Sequence, residues 1–272
     1  MRSRSIVLAG VLGALSLVAA VPGAGAKGAT PITSCGQTVT TNAFLAQDLS
    51  CSGQSGVVVG APNIIIDLKG HALTGDGTDY GVDDTGGFDG AKVENGVVRA
   101  FFDGVLLNAD GVVVSNLVAS GNSAKGIAIG GAGARVESSI ADGNVGYGID
   151  ILGPSARVRS SSASGNGSAG IQILGPSAQV SSATVTGNGG GIVVAGASAR
   201  VKSSTVSGNR GVGIEVNGDA ARVGGNRADG NGFGSSFAAL GIHVYGYTTA
   251  PVGQNLARGN ADPSECSPSS LC

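Results

Sequence analysis

Apolar residues along most of this chain alternate with polar or small ones, as in Gly148-Ile149-Asp150-Ile151 and Arg157-Val158-Arg159. Alternation with period two marks a short half-buried strand, whereas a helix repeats its apolar residues every three or four positions. A third segment of this kind, such as Ile140-Ala141-Asp142 or Thr205-Val206-Ser207, completes each unit. The pattern then recurs. Gly-Asn stands at 121, 143, 165, 187, 208 and 230, in steps of 22, 22, 22, 21 and 22. Gly-Ile follows at 126, 148, 170, 191, 213 and 241, after Gly104-Val105, and valine occupies 114, 136, 158, 180, 201 and 223. The last Gly-Ile step is 28, so about six extra residues fall within Asn231–Leu240.

Three strands per 22 residues describe a triangular coil that buries nothing alone and becomes stable when coils stack as parallel strands. Leucine-rich repeats need more leucines per unit, and calcium-binding nonapeptide rolls need an Asp where Arg135 stands. Left-handed β-helices have shorter, hexapeptide periods. The predicted fold is therefore an all-β right-handed parallel β-helix solenoid, with weaker coils upstream through Asn63–Leu68 and Val93–Val98. Residues 57–262 make roughly nine coils, about 45 Å at the ~4.8 Å strand spacing. Asparagine tolerates the left-handed backbone of a sharp corner, so the Gly-Asn pair is expected to place its asparagine there. Stacked, the six asparagines can also hydrogen-bond along a ladder. Leu152-Gly153-Pro154-Ser155 and Leu174-Gly175-Pro176-Ser177 supply another corner.

Composition narrows the alternatives. Of 272 residues 50 are glycine and eight proline, without a Gly-x-x period, which excludes collagen. Hydrophobic residues at 42% argue against disorder, and charged residues at 12% argue against a coiled coil. Arg2 and Arg4 precede an apolar run from Ile6 to Val21, and Ala24-Gly25-Ala26 follows, the pattern of a signal peptide cleaved after Ala26. Secretion is the expectation. The run is short for a membrane span, and none other approaches that length. Without Arg2 and Arg4 the chain carries a net charge of about −4, which gives no general attraction to nucleic acid. The divisions expected are a signal at 1–26, a cap at 27–56, the β-helix at 57–262 and a tail at 263–272.

Export permits disulfides. Four cysteines allow three pairings, of which Cys35–Cys51 and Cys266–Cys272 each close a short loop near a chain terminus and are favoured. A zinc site is the alternative, although Cys-x5-Cys and Cys-x15-Cys are unusual ligand spacings.

Ile66-Asp67-Leu68-Lys69-Gly70-His71-Ala72-Leu73-Thr74-Gly75, Glu94-Asn95-Gly96-Val97-Val98-Arg99 and the repeated Ser/Asp-Gly-Asn-x-x-x-Gly-Ile carry a resemblance. With Cys35 and Cys51 ahead of the first coil, the chain resembles the secreted bacterial right-handed parallel β-helix repeat proteins of the pectin-lyase-like superfold. The resemblance implies carbohydrate as the commonest ligand class, and many members have no known activity. Fold alone assigns no function.

Equivalent residues in successive coils become vertical neighbours, so columns read as surfaces. Flanking the valine column are Arg135, Arg157, Gln179, Arg200 and Arg222 on one side and Glu137, Arg159, Ser181, Lys202 and Gly224 on the other. Six of these ten are basic and one is acidic. Arg135, Arg157, Arg159, Arg200, Lys202 and Arg222 are thus candidate ligands for an acidic extracellular polysaccharide, because guanidinium groups grip carboxylates through paired hydrogen bonds. The bland reading is a solubilising surface whose long aliphatic stems cover the sheet. In the resembled superfold, lyases use an arginine base on an exposed strand face, with calcium ligands that no Asp column supplies here.

The Gly-Ile strands point Ala128, Asp150, Gln172, Val193, Glu215 and His243 outward. Asp150 and Glu215 lie three coils apart, about 14 Å, beyond the ~5–9.5 Å of paired glycosidase carboxylates. Glu215 and His243 are closer, with a register obscured by the insertion. Residues 60–112 carry nine acidic and three basic side chains, with Asp76, Asp79, Asp83, Asp84 and Asp89 in one stretch. That stretch offers oxygens to calcium but lacks EF-hand spacing, so no cofactor is expected and Ca²⁺ is the alternative. Gly165-Asn166-Gly167-Ser168-Ala169-Gly170 matches a dinucleotide-binding fingerprint, but it is one repeat corner among six. Tyr80, Tyr147, Phe233, Phe237, Tyr245 and Tyr247 are the rings available for stacking on sugars. The expected function is recognition of an acidic polysaccharide by a monomer. A polysaccharide lyase or glycoside hydrolase is one alternative, and a non-catalytic structural or adhesive surface protein is another.

Overall fold

A computed structural model of the chain describes residues 28–233, 240–245 and 254–272. The expected signal segment 1–26 lies outside the described residues, as do Phe237 and Tyr247. The described chain is an all-β parallel solenoid of about ten turns. A single 3-10 turn at Ser269–Leu271 is the helical element among the described residues.

Each turn has three faces. The Gly-Ile segments form the first, an 11-stranded sheet running from Gln37–Val39 to Cys266–Ser267. The valine segments form the second face and segments such as Ser162–Ser164 the third. Those two join as one 18-stranded sheet, because Lys92–Arg99 and Val113–Ser120 run unbroken across the bend between them. Val158 pairs with Val180, and Ile149 with Ile171, so residues 22 apart are vertical neighbours. The turns exceed the expected nine because coiling starts earlier. Thr30–Ile32 already pairs with Ala43–Leu45, and Gln37–Val39 with Val57–Val59.

The lumen is narrow, which explains the residue types that fill it. Isoleucine from the first face, valine from the second and alanine or valine from the third meet inside. Ile149, Val136 and Ala141 are each fully buried. Small and β-branched residues suit strands that must approach closely from three sides.

The corners correct one expectation. The left-handed residue is the glycine of each Gly-Asn, with φ between 60° and 66° from Gly121 to Gly230. Asparagine instead turns inward. Asn122, Asn144, Asn166, Asn188, Asn209, Asn231 and Asn260 form a buried ladder in which each side-chain Nδ2 donates to Oδ1 of the next. Glu265 ends it, accepting from Asn260 Nδ2 at 2.5 Å. Serine takes the left-handed conformation at the other corners of the middle turns, including Ser138 and Ser160, and Ser155 and Ser177, while Asn95 and Asn116 take it in earlier turns. Its cost is offset by coil-to-coil bonds such as Ser155 N–H to Pro176 C=O at 2.8 Å.

Both favoured disulfides are formed. Cys35–Cys51 fastens the first turn and Cys266–Cys272 the last. All four cysteines are engaged in these two disulfides.

Candidate functional site

The second face gathers the six basic candidates into two columns. Strand register sets Arg135, Arg157, Gln179, Arg200 and Arg222 in one. Glu137, Arg159, Ser181, Lys202 and Gly224 form the other. Between them the valines point inward, so alternation alone sends every flanking side chain to solvent. All six cations are exposed. Ion pairs among the described residues join Lys69–Asp67, His71–Asp48, Lys92–Glu94, Lys125–Asp150 and Arg227–Asp229, and none uses these six.

The face is grooved as well as charged. The rung Gln179–Ser181 carries shorter side chains than the rungs Arg157–Arg159 and Arg200–Lys202 on either side. A trough of about 580 Å³ opens there, lined by Arg135, Glu137, Arg157, Arg159 and Lys202 among others. A second of about 410 Å³ includes Arg200 and Arg222, with Gly224 in its lining. Gln179, Ser181, Lys202 and Ser203 line both, so the two run together. Donors projecting from walls above a floor of small residues suit a chain of carboxylates lying across the rungs.

The first face differs from the sequence reading. Asp150, expected at the surface, is 3% exposed. Its Oδ2 accepts from Lys125 Nζ at 2.6 Å, while Oδ1 is buried without a partner. Asp103 accepts the Lys125 backbone N–H at 2.8 Å. Burial raises the Asp103 carboxyl above the usual range. For Lys125, burial works to lower the pKa, but the hydrogen bond and charge of Asp150 outweigh it and hold the ammonium charged. Lys125 and Asp150 are 25 residues apart and so meet diagonally, outside any one column of the repeat. One signal was present: Asp103 and Lys125 both immediately precede the Gly-Val/Ile marker.

Elsewhere on that face Glu215 pairs in register with His243, so the insertion leaves strand alignment intact. In the Asp-rich stretch the carboxylates serve local structure. Asp76 accepts from the Thr78 and Ser52 hydroxyls and from the Gly53 N–H, bonds that lower its pKa to about 2. Asp83 accepts from Ser55, and Asp84 lies buried inside the coil. Among the described residues no three His, Cys, Asp or Glu side chains converge as a metal site.

A family model described as the right handed beta helix region matches residues 103–261, more than half of the chain. The chain belongs to the right-handed β-helix family. No curated protein sequence matches this β-helix protein. Solved structures do. The A-module of Azotobacter vinelandii mannuronan C-5 epimerase AlgE4 aligns with TM-score 0.60 and 15% identity, over 80% of this chain and 70% of that one. The Agl-KA catalytic domain aligns with TM-score 0.43 and 11% identity, over 84% and 59%. Pectate lyase Pel9A aligns with TM-score 0.42 and 14% identity, over 86% and 72%. At 15% identity the likeness to the AlgE4 A-module is one of fold.

Proposed function

We propose that this β-helix protein is a secreted, monomeric binder of an acidic extracellular polysaccharide, held along its second face. The observation that carries the reading is that six cations, free of ion pairs among the described residues, line two joined troughs. The structural neighbour named for mannuronan supports a polysaccharide as ligand. Export would follow cleavage after Ala26. A lyase or hydrolase reading is less well supported, because the basic face offers Glu137 as its single carboxylate and the Asp-rich stretch is engaged in local hydrogen bonds.

Binding to a panel of uronate polymers, read by affinity electrophoresis, tests the proposal. The unaltered chain is expected to bind at least one. Arg157→Ala with Arg200→Ala should weaken that binding about tenfold or more, since each removes a charge-assisted bidentate contact. Added salt should weaken it too, because exposed charges are screened beyond ~8 Å at 0.15 M. Equal binding by both proteins, or none by either, overturns it. Release of unsaturated or reducing ends would favour the enzyme, and retention on cell walls without glycan preference would favour the adhesive reading.

A further inference from the structure

The C-terminal rungs of the first face carry a different kind of surface. Glu215 and Asn217 point outward from Ile214–Asn217, and His243 and Tyr245 point outward from Ile242–Tyr245. Register sets Glu215 beside His243 and Asn217 beside Tyr245. The four make a grid about 4.8 Å across rungs and ~6.8 Å along strands. The rings of His243 and Tyr245 lie 3.8 Å apart between centroids, tilted by 38°, and Tyr245 is 42% exposed. Behind them Ile214, Val216, Ile242 and Val244 are buried, which fixes the grid to the core. Among the described residues none of the four side chains makes a hydrogen bond or ion pair, and carboxylate, carboxamide, imidazole and phenol each carry polar atoms able to bond a ligand.

We infer that this grid is a second glycan subsite, taking a neutral pyranoside. A pyranose presents an apolar C–H face and an edge of hydroxyls. Exposed rings can cover the first, through apolar area and weak C–H contacts, while Glu215 and Asn217 take hydrogen bonds from the second. Rigid rings with a few polar groups at their border are what a small-molecule site requires. The sign of the charge selects the ligand. Glu215 is the single carboxylate of the grid, and a carboxylate beside a uronate would repel it. The subsite is independent of the basic face, which lies on another side of the triangle.

Titrating the full chain with linear neutral hexaoses of β-linked glucose, mannose, xylose and galactose, followed by NMR, tests the assignment. Binding of at least one is expected, with perturbation of the His243 ring signals. Tyr245→Ala should weaken it about tenfold or more, and Tyr245→Phe, which keeps the ring, should stay within about threefold. Circular dichroism should be unchanged in both, since the side chain is exposed. Arg157→Ala should leave neutral-sugar binding intact, which separates this subsite from the basic face. Failure of all four sugars to bind, undiminished binding by Tyr245→Ala, or a preference of the grid for uronate oligomers overturns the inference.

Discussion

Asn166 donates its backbone N–H and its side-chain amide to Asn188 Oδ1, donates again to Ala141 C=O, and accepts twice from Asn144. It does so at 2% exposure, where an orphaned donor finds no water to replace a lost partner. Asn166→Ala strands groups on both neighbouring turns, and a loss of about 2–3 kcal/mol is expected from the urea midpoint. Asp84 is the opposite case, a carboxyl inside the coil with Oδ2 unpartnered. Burial raises its pKa, so the stability it brings is complete when it is protonated, below the ordinary carboxyl range near 3.8. That stability is lost as pH rises through the folded value. Asp84→Asn should therefore match the unaltered chain at pH ~3 and exceed it by about 1 kcal/mol at pH 7. A variant less stable at pH 7 would show that the buried charge is held by something other than its Phe88 N–H bond.

At the scale of the coil, the second-face strands and the inward columns were legible because one narrow lumen imposes the same residue types on every turn. Gly148 shows how tightly turns stack there. A Cβ on it would meet Gly170 O at 2.6 Å and Asn166 Nδ2 at 2.7 Å. Gly148→Ala should cost about 1–3 kcal/mol, read as a lowered thermal midpoint. Other features were less legible for definite reasons. Glycine and asparagine are adjacent at each Gly-Asn corner, so composition could not say which takes the left-handed turn and which faces inward. Lys125 reaches Asp150 diagonally, so no single column of the repeat contains both. The corner between Gly-Asn and Gly-Ile also varies in length, with two residues between Asn188 and Gly191 and three between Asn166 and Gly170. Asp103, Lys125 and the insertion ahead of Gly241 all fall at that corner. Strand pairing carries on past it, which is why Glu215 still meets His243.

Across the whole molecule, the polar features divide by face: cations along the second, and rings with a lone carboxylate at the C-terminal end of the first. Both arrangements stand on the same stacked backbone, and the asparagine ladder shows how regular that stack is. Every member donates in the same direction and presents the same acceptor behind it, with Glu265 as the stop. Turns are therefore interchangeable slices, and the molecule can be shortened in whole units. Excising residues 155–176 rejoins Pro154 to a serine and brings Asn144 onto Asn188. The product should unfold in one transition, with a denaturant slope lower by about a tenth in keeping with the surface removed. Loss of cooperativity would show that the stack depends on its length. A stack whose middle is built of like slices between two fastened ends works as a ruler: the number of slices sets the length of its charged face.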